Sequence, residues 1–282
     1  MTERRAPRPR RAFRGEVRRA ERLTPHLVRV VLGGEGLREF EAGRYTDHYV
    51  KLLFPPPGVT YPEPIDLEAI RSGLPRDQWP RMRTYTVRRW DAAARELTID
   101  FVYHGAEGLA GPWAAAAAPG DVLWFVGPGG AYAPDPEAPW HLLAGDESAL
   151  PAIAAALERL PADATAHVFV EVAGTEDEIP LDAPAGARVT WLHRDGAAVG
   201  DRLVAAVRAL EWPPGEPHAF VHGEAGFVRE LRRYLRVERG LPLERLSISG
   251  YWRRGTDEDG WQSSKREWNR RVEEEEAAVL AS

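Results

Sequence analysis

Arg83-Thr84-Tyr85-Thr86 sets a guanidinium, a flat phenol and two hydroxyls on consecutive residues, with His104 and the Gly105–Gly108 turn following downstream. An arginine fork matches a pyrophosphate through parallel charged hydrogen bonds. Tyr85 offers a ring face to a flat heterocycle, and Thr86 a hydroxyl for a ring nitrogen. Gly108, Leu109 and Ala110 lead into an Ala-rich helix start, where unpaired N–H groups favour anions. These are the parts that hold a dinucleotide whose flat end is redox-active. Taken singly, each has a plainer reading: Tyr and Thr favour strands, and His104 can be a strand-end histidine.

The elements that must position these groups are strands. Apolar and polar residues alternate over Phe13–Ala20 and Leu27–Leu32, and further strands are expected at Tyr49–Phe54, Arg83–Trp90, Arg95–His104 and Val122–Gly127. Along Arg95–His104 the alternation puts Thr98, Asp100, Val102 and His104 on one face and Ile99, Phe101 and Tyr103 on the other. The apolar set belongs inside; the set with His104 faces the ligand. Six short strands and one helix predict an antiparallel Greek-key β-barrel. A long connection from Pro55 to Arg81 holds a short helix near Ile65–Ser72, and loops of such length are commonly functional.

Past Gly127-Pro-Gly-Gly130 and the Pro-rich stretch Ala133–Pro139 the pattern changes. Strands at Trp140–Ala144, His167–Val172, Arg188–His193, His218–His222 and Leu246–Ser249 alternate with helices at Ser148–Leu160, Gly200–Leu210 and Gly226–Arg239. That predicts a Rossmann-like parallel sheet covered on both faces, with ligands at the carboxyl ends of its strands. Gly145-Asp146-Glu147-Ser148 and Gly223-Glu224 occupy such ends. Ser148 reads as a helix cap with Pro151 in the first turn, and Glu224 equally as a cap. The stretch is not a Gly-x-Gly-x-x-Gly fingerprint. The divisions expected are an unstructured arm at 1–12, a barrel at 13–134, an α/β domain at 138–250, and a tail at 251–282 that returns a helix toward the barrel's ligand. Ser264 and Glu267 suggest a capping box for that helix, and Glu273–Glu276 oppose its dipole, so its far end should fray.

The formal net charge of −6 disfavours a nucleic-acid binder. There is no cysteine, which excludes disulfides and thiolate-held zinc or iron–sulfur clusters. Residues Met1–Arg14 have no apolar run of the secretory kind, and no stretch approaches a membrane span; a cytoplasmic protein is expected. Lys51 and Lys265 are the only lysines among many arginines. Lys51 interrupts an apolar strand, and Arg253-Arg254 follow the last predicted strand; each reads either as a solvated surface or as a cationic pocket for an anionic substrate.

The order and spacing of these pieces resemble the ferredoxin-reductase superfamily and, within it, the siderophore-interacting proteins. The resemblance runs from about Phe13 to Arg254 and rests on Leu23–Gly34, Asp47–Phe54, Arg83–Trp113, Gly145–Ile153 and Gly250-Tyr-Trp-Arg-Arg-Gly255. It implies FAD in the barrel: Arg83 on the pyrophosphate, Thr84 beside it, Tyr85 against the isoalloxazine, and Thr86 near its N5. Asp100, Val102 and His104 would lie along the cofactor, His104 toward adenine, with Gly108–Ala110 on the phosphates and Trp252 over the flavin edge. It implies NADH or NADPH at Gly145–Ser148, Gly223 and Glu224, with Glu171, Glu176 and Arg194 open candidates for reading the 2′ position. Lys51, Arg253 and Arg254 would meet a ferric siderophore. The family usually has Pro where Leu109 stands, and many relatives carry a basic residue where this chain has Gly129. The implied activity is reduction of an Fe(III) chelate by NAD(P)H through the flavin. The alternatives are a general flavin reductase or ferredoxin-type electron carrier, with ferredoxin as a partner, and a non-enzymatic siderophore binder.

Overall fold

The computed structural model describes residues 12–280. The expected arm therefore lies outside the described residues, except for Ala12, which opens the first strand.

The first half is a seven-stranded antiparallel sheet of β1 (Ala12–Thr24), β2 (Leu27–Gly33), β3 (Tyr49–Phe54), β4 (Arg81–Thr86), β5 (Arg89–Asp91), β6 (Glu96–Val102) and β7 (Val122–Gly129). Its order is β4-β3-β7-β1-β2-β6-β5, one strand more than expected. The extra strand arises because Arg83–Trp90 is two strands. The chain steps at Val87 and Arg88 from one sheet edge to the other. The Val87 N–H donates to His48 O (2.7 Å) and the Arg88 N–H to Thr98 O (2.9 Å), so the step joins both edges and closes the barrel. Leu52, Leu97, Ile99, Phe101 and Phe125 fill its interior and are fully buried. Burial of each such side chain contributes about 1.5–3 kcal/mol.

Two short helices attach to the barrel. In the long connection, α1 (Leu67–Gly73) is capped by Asp66, whose carboxylate accepts from the Glu68 and Ala69 N–H groups. It buries Leu67 and Ile70 on the outer side of β3 and β7. After β6, α2 (Ala110–Ala116) lies so close that a Cβ on Gly111 would stand 2.9 Å from Val102 O.

The second half is a five-stranded parallel sheet of β8 (Trp140–Asp146), β9 (Ala166–Val172), β10 (Ala187–His193), β11 (Pro217–Glu224) and β12 (Leu246–Trp252), in the order β10-β9-β8-β11-β12. Helices α3 (Leu150–Leu157), α4 (Asp201–Ala209) and α5 (Ala225–Arg233) cover it, α3 on one face and the other two on the opposite face. The strand order reverses between β8 and β11, where an α/β sheet opens a crevice for ligands. Leu27 and Tyr132 of the first half sit in the core beneath α3, with the Tyr132 ring 4.8 Å from that of Phe220. The two halves thus share packed apolar surface. Asp47 accepts from the Ala131 and Tyr132 N–H groups (both 2.9 Å), His26 pairs with buried Asp177 (2.9 Å), and Arg88 pairs with Glu158.

The last helix, α6 (Glu258–Leu280), starts well before the expected capping box. Asp257 accepts from the Gly260 N–H (2.8 Å), as a cap would, while Ser264 bonds back to Gly260 O inside the helix. The glutamates at its far end do not leave it frayed. Glu274 pairs with Arg270, Glu275 with Arg229, and Glu276 with both Arg232 and Arg236. Cations from α5 and the turn after it outweigh the unfavourable dipole. Trp261 anchors the helix and is fully buried against Gly250, where a Cβ would stand 3.0 Å from its ring. No helix among the described residues is long and apolar enough to cross a membrane.

Candidate functional site

A cavity of about 920 Å³ lies between the halves, bounded by β3, β4, the β6–α2 turn, the ends of β11 and β12, and the first turns of α6. That is the upper end of the range for small-molecule and cofactor sites, roughly 300–1,000 Å³.

On the barrel side the expected residues come together. Arg83, Thr84, Tyr85, Thr86 and Lys51 line the cavity from two paired strands. Asp100, Val102 and His104 line it from the neighbouring segment, in keeping with the alternation. Tyr85 is braced from inside the barrel by the Phe101 ring, 4.5 Å away. Burial of its hydroxyl raises its pKa and keeps it a neutral phenol. Asp100 is buried and carries a second duty: the fork of Arg29, its partner across β2 and β6, holds both its oxygens at 2.7 and 2.8 Å. Gly108, Leu109 and Ala110 line the cavity where α2 begins. No side chain caps that end, and the first N–H groups of a helix have no partner within it. Gly108 makes the turn with φ of +82°, where side chains are disfavoured. Burial lowers the His104 pKa below that of a free imidazole, so the ring is neutral near pH 7.

Arg83 is held in a way its spacing does not show. Its fork grips Asp259 of α6 at 3.0 and 3.1 Å, and it also donates to Met82 O. The cation expected on a pyrophosphate already has an anionic partner, whose own side chain is half exposed.

On the α/β side most of the expected residues serve the fold. Of Gly145, Asp146, Glu147, Ser148, Gly223 and Glu224, Ser148 alone lines the cavity. Gly145 allows close packing: a Cβ there would stand 2.5 Å from that of Ala149. Gly223 has φ of +139° and is crowded by Phe227 and Asp146. Asp146 is fully buried and accepts from the Ser148 N–H and hydroxyl, the Glu224 N–H and the Trp252 indole. It ties the ends of β8, β11 and β12 into one unit. Burial pushes its carboxyl up to about 6 against the pull of those donors. Ser148 is not the cap of α3; its hydroxyl is spent on Asp146. Glu224 is a cap, accepting from the Gly226 N–H (2.6 Å) and also from the Arg254 N–H (3.1 Å). Glu147 pairs with Arg194, which also stands 3.8 Å from Glu171. Glu171 is buried and accepts from the Gly200 N–H (2.7 Å) at the start of α4. Trp252 and Arg253 line the cavity, whereas Arg254 lies outside it.

Three cavity residues that bear on the site, Lys265, Tyr49 and His222, were not singled out from the sequence, nor was Asp259, which lies outside the lining. Lys265 enters from α6, and Tyr49 shares its strand face with Lys51. Asp259 holds Arg83. His222 lines the cavity with its Nδ1 buried and unpartnered while Nε2 bonds Ser247 (2.9 Å), and burial drives its pKa down to about 3. Lys265 had a signal in the sequence, as one of the chain's only two lysines. His222 had none, since it reads as a strand residue.

A Greek-key barrel abutting a parallel sheet, with a shared cavity at the switch point, is the ferredoxin-reductase-like fold, and solved ferredoxin reductases match it. Residues 16–132 match the siderophore-interacting FAD-binding domain, and residues 138–255 match the siderophore-interacting protein model. The chain belongs to the siderophore-interacting protein family. It is 50% identical to an uncharacterized Mycobacterium tuberculosis protein, over 97% of this chain and 99% of that one. It is 36% identical to the ferric vibriobactin reductase of Vibrio cholerae (88% and 91% covered) and 32% identical to the NADPH-dependent ferric-chelate reductase of Escherichia coli (84% and 91%). A solved siderophore utilization protein from T. fusca superposes with a TM-score of 0.76 at 43% identity, covering 89% of this chain and 95% of that one. FAD is thus the cofactor of the barrel half. The cavity suits it: an arginine fork, N–H groups at a glycine turn, a braced phenol, and an unsatisfied imidazole nitrogen meet in one space.

Proposed function

We propose that the protein is an FAD-dependent oxidoreductase that passes electrons from NADH or NADPH to an Fe(III) chelate of the siderophore class. The supporting observation is the cavity built by both halves, lined by flavin-type ligands on β4 and α2 and by the cations Lys51, Arg253 and Lys265. Overall, one NAD(P)H and two Fe(III) give NAD(P)⁺, a proton and two Fe(II). Bound FAD supplies the exchange between a two-electron donor and one-electron acceptors. The chain's part is alignment and charge. Arg83 and the α2 N–H groups hold the phosphates, and Tyr85 and Thr86 set the position of the ring. Trp252, at the end of β12 and fixed by its indole bond to Asp146, forms part of the cavity wall. Lys51 and Arg253 draw an anionic chelate to the open mouth. Hard oxygen chelators hold Fe(III) far better than Fe(II), so reduction releases the metal. No acid, base or nucleophile is needed, and among the described residues no cluster could hold a metal.

We place the nicotinamide nucleotide at the crevice beside β8 and β11, with Ser148 as its contact and Gly145, Asp146, Glu147, Gly223 and Glu224 shaping the rim. A cytoplasmic location suits a nicotinamide-driven reductase. The test is anaerobic: NADH or NADPH should bleach the flavin, and a ferric chelate should restore it. A flavin that neither nucleotide reduces would end this reading.

A further inference from the structure

The reductase reading brings two flat rings into one cavity and leaves open what orients the second. His222 lies near the carboxyl end of β11, paired with Gly145 on β8 and with Ser249 on β12. That is the crevice where the strand order reverses and ligands enter an α/β sheet. The imidazole borders the cavity yet is only 4% exposed. It is fixed in a stack of rings. Phe220 lies 4.0 Å away at 24° to it, and Tyr251, also on the cavity wall, lies at 4.8 Å.

The two ring nitrogens are treated differently. Nε2 stands 2.9 Å from the Ser247 hydroxyl, whereas Nδ1 is buried with no partner. Burial first, and the Lys265 charge second, press the pKa down to about 3, while hydrogen bonding to Ser247 works the other way. The ring is therefore neutral, with one N–H and one lone pair. A partner that favours protonation is one that accepts from the ring, so Nε2 carries the hydrogen and Nδ1 keeps the lone pair. A buried acceptor without a donor is costly, and few are left so in a folded protein.

We propose, resting on the reductase reading, that His222 is a nicotinamide-binding residue: its Nδ1 accepts from the carboxamide NH₂ group of NADH or NADPH and fixes which way that ring lies. The flavin also carries a ring N–H. Its ligands Tyr85 and Thr86, however, belong to β4 on the barrel side. His222 belongs to the half that takes the nucleotide.

The test compares ligands with and without the donor, by calorimetry on the FAD-loaded full chain. Oxidised nucleotides are used, so no electrons move. The probes are NAD⁺, its 3-acetylpyridine analogue, in which a methyl ketone replaces the carboxamide, and ADP-ribose, which has no such ring. Each is used with and without the 2′-phosphate, and the tighter series is read. Wild type should bind NAD⁺ about tenfold tighter than the analogue. His222→Phe keeps the stack and removes both nitrogens; it should lose that preference by binding NAD⁺ about tenfold more weakly, with ADP-ribose within about twofold of wild type. His222→Asn sets an oxygen near the place of Nδ1 and should bring most of the preference back, which a merely structural role would not do. Flavin absorbance checks that each variant is folded and loaded; should His222→Phe not load, the wild-type and asparagine comparisons decide. FAD is also set against 3-methyl-FAD, which lacks the ring N–H, and wild type and His222→Phe should discriminate between these two equally. A wild type that binds FAD and ADP-ribose but does not distinguish NAD⁺ from the analogue overturns the assignment and leaves the reductase reading standing. So does a preference for FAD over 3-methyl-FAD that vanishes in His222→Phe, since it gives the acceptor to the flavin. A loaded chain that binds none of the nucleotides, in either series, fails the reductase reading itself.

Discussion

The barrel wall and the α/β wall of the cavity treat their polar residues in opposite ways. On the barrel wall, the hydroxyls, the imidazole and the N–H groups at Gly108–Ala110 face open space. On the α/β wall, Gly145, Asp146, Gly223 and Glu224 turn inward and hold the strand ends together. A closed barrel satisfies its own backbone through its ladder, which frees side chains for a ligand. A parallel sheet ends in unpaired backbone groups and helix starts, and these consume nearby carboxylates first.

The difference can be broken by substitution. The largest effect is expected at Arg83→Ala, which removes charge-assisted bonds to the pyrophosphate; FAD affinity should fall at least a hundredfold, about 3 kcal/mol. Flavin retained per chain after gel filtration measures it, and full occupancy would strip Arg83 of that role. Next comes Asp146→Asn. An amide cannot accept on both sides, so two donors would face an NH₂ group, costing about 2–3 kcal/mol of stability. Thermal unfolding should show a loss of several degrees while FAD affinity stays within twofold. Unchanged stability with a raised nucleotide KM would instead make Asp146 a ligand and erase the contrast between the walls. Lys51→Ala should lower kcat/KM for anionic ferric chelates about five- to tenfold with flavin content intact; unchanged kinetics would move Lys51 to the plain surface. The smallest effect belongs to Asp259→Asn. Releasing Arg83 from a pair whose carboxylate is half exposed should tighten FAD two- to fivefold, in fluorescence titration, by about 0.5–1 kcal/mol. Weaker FAD binding would mean that Asp259 aims the fork rather than competing for it.

The same contrast explains what could be read in advance. Face assignments along Arg95–His104 needed only the two-residue period; of the set expected to face the ligand, Asp100, Val102 and His104 line the cavity and Thr98 does not. The parallel sheet followed from alternation of strands and helices. The division of Arg83–Trp90 was hidden, because Val87 and Arg88 are good strand residues and only the closing of the sheet separates β4 from β5. Ser148 and Ser264 looked like caps because local patterns cannot say whether a hydroxyl is claimed by a distant partner or by its own helix. Glu273–Glu276 looked destabilising because the arginines that match Glu275 and Glu276 lie outside α6, as the pairs with Arg229, Arg232 and Arg236 show. Lys265 reaches the cavity, and Asp259 reaches Arg83, through the path of α6, a tertiary fact that no local spacing encodes.

The most direct measurement is an anaerobic half-reaction series on the purified protein. The flavin band should bleach with one equivalent of NADH or NADPH, and then return on adding two equivalents of ferric tris-catecholate, with Fe(II) caught by a ferrous-specific chromophore. A flavin that bleaches but returns only with oxygen, leaving the ferric chelate untouched, would contradict the account.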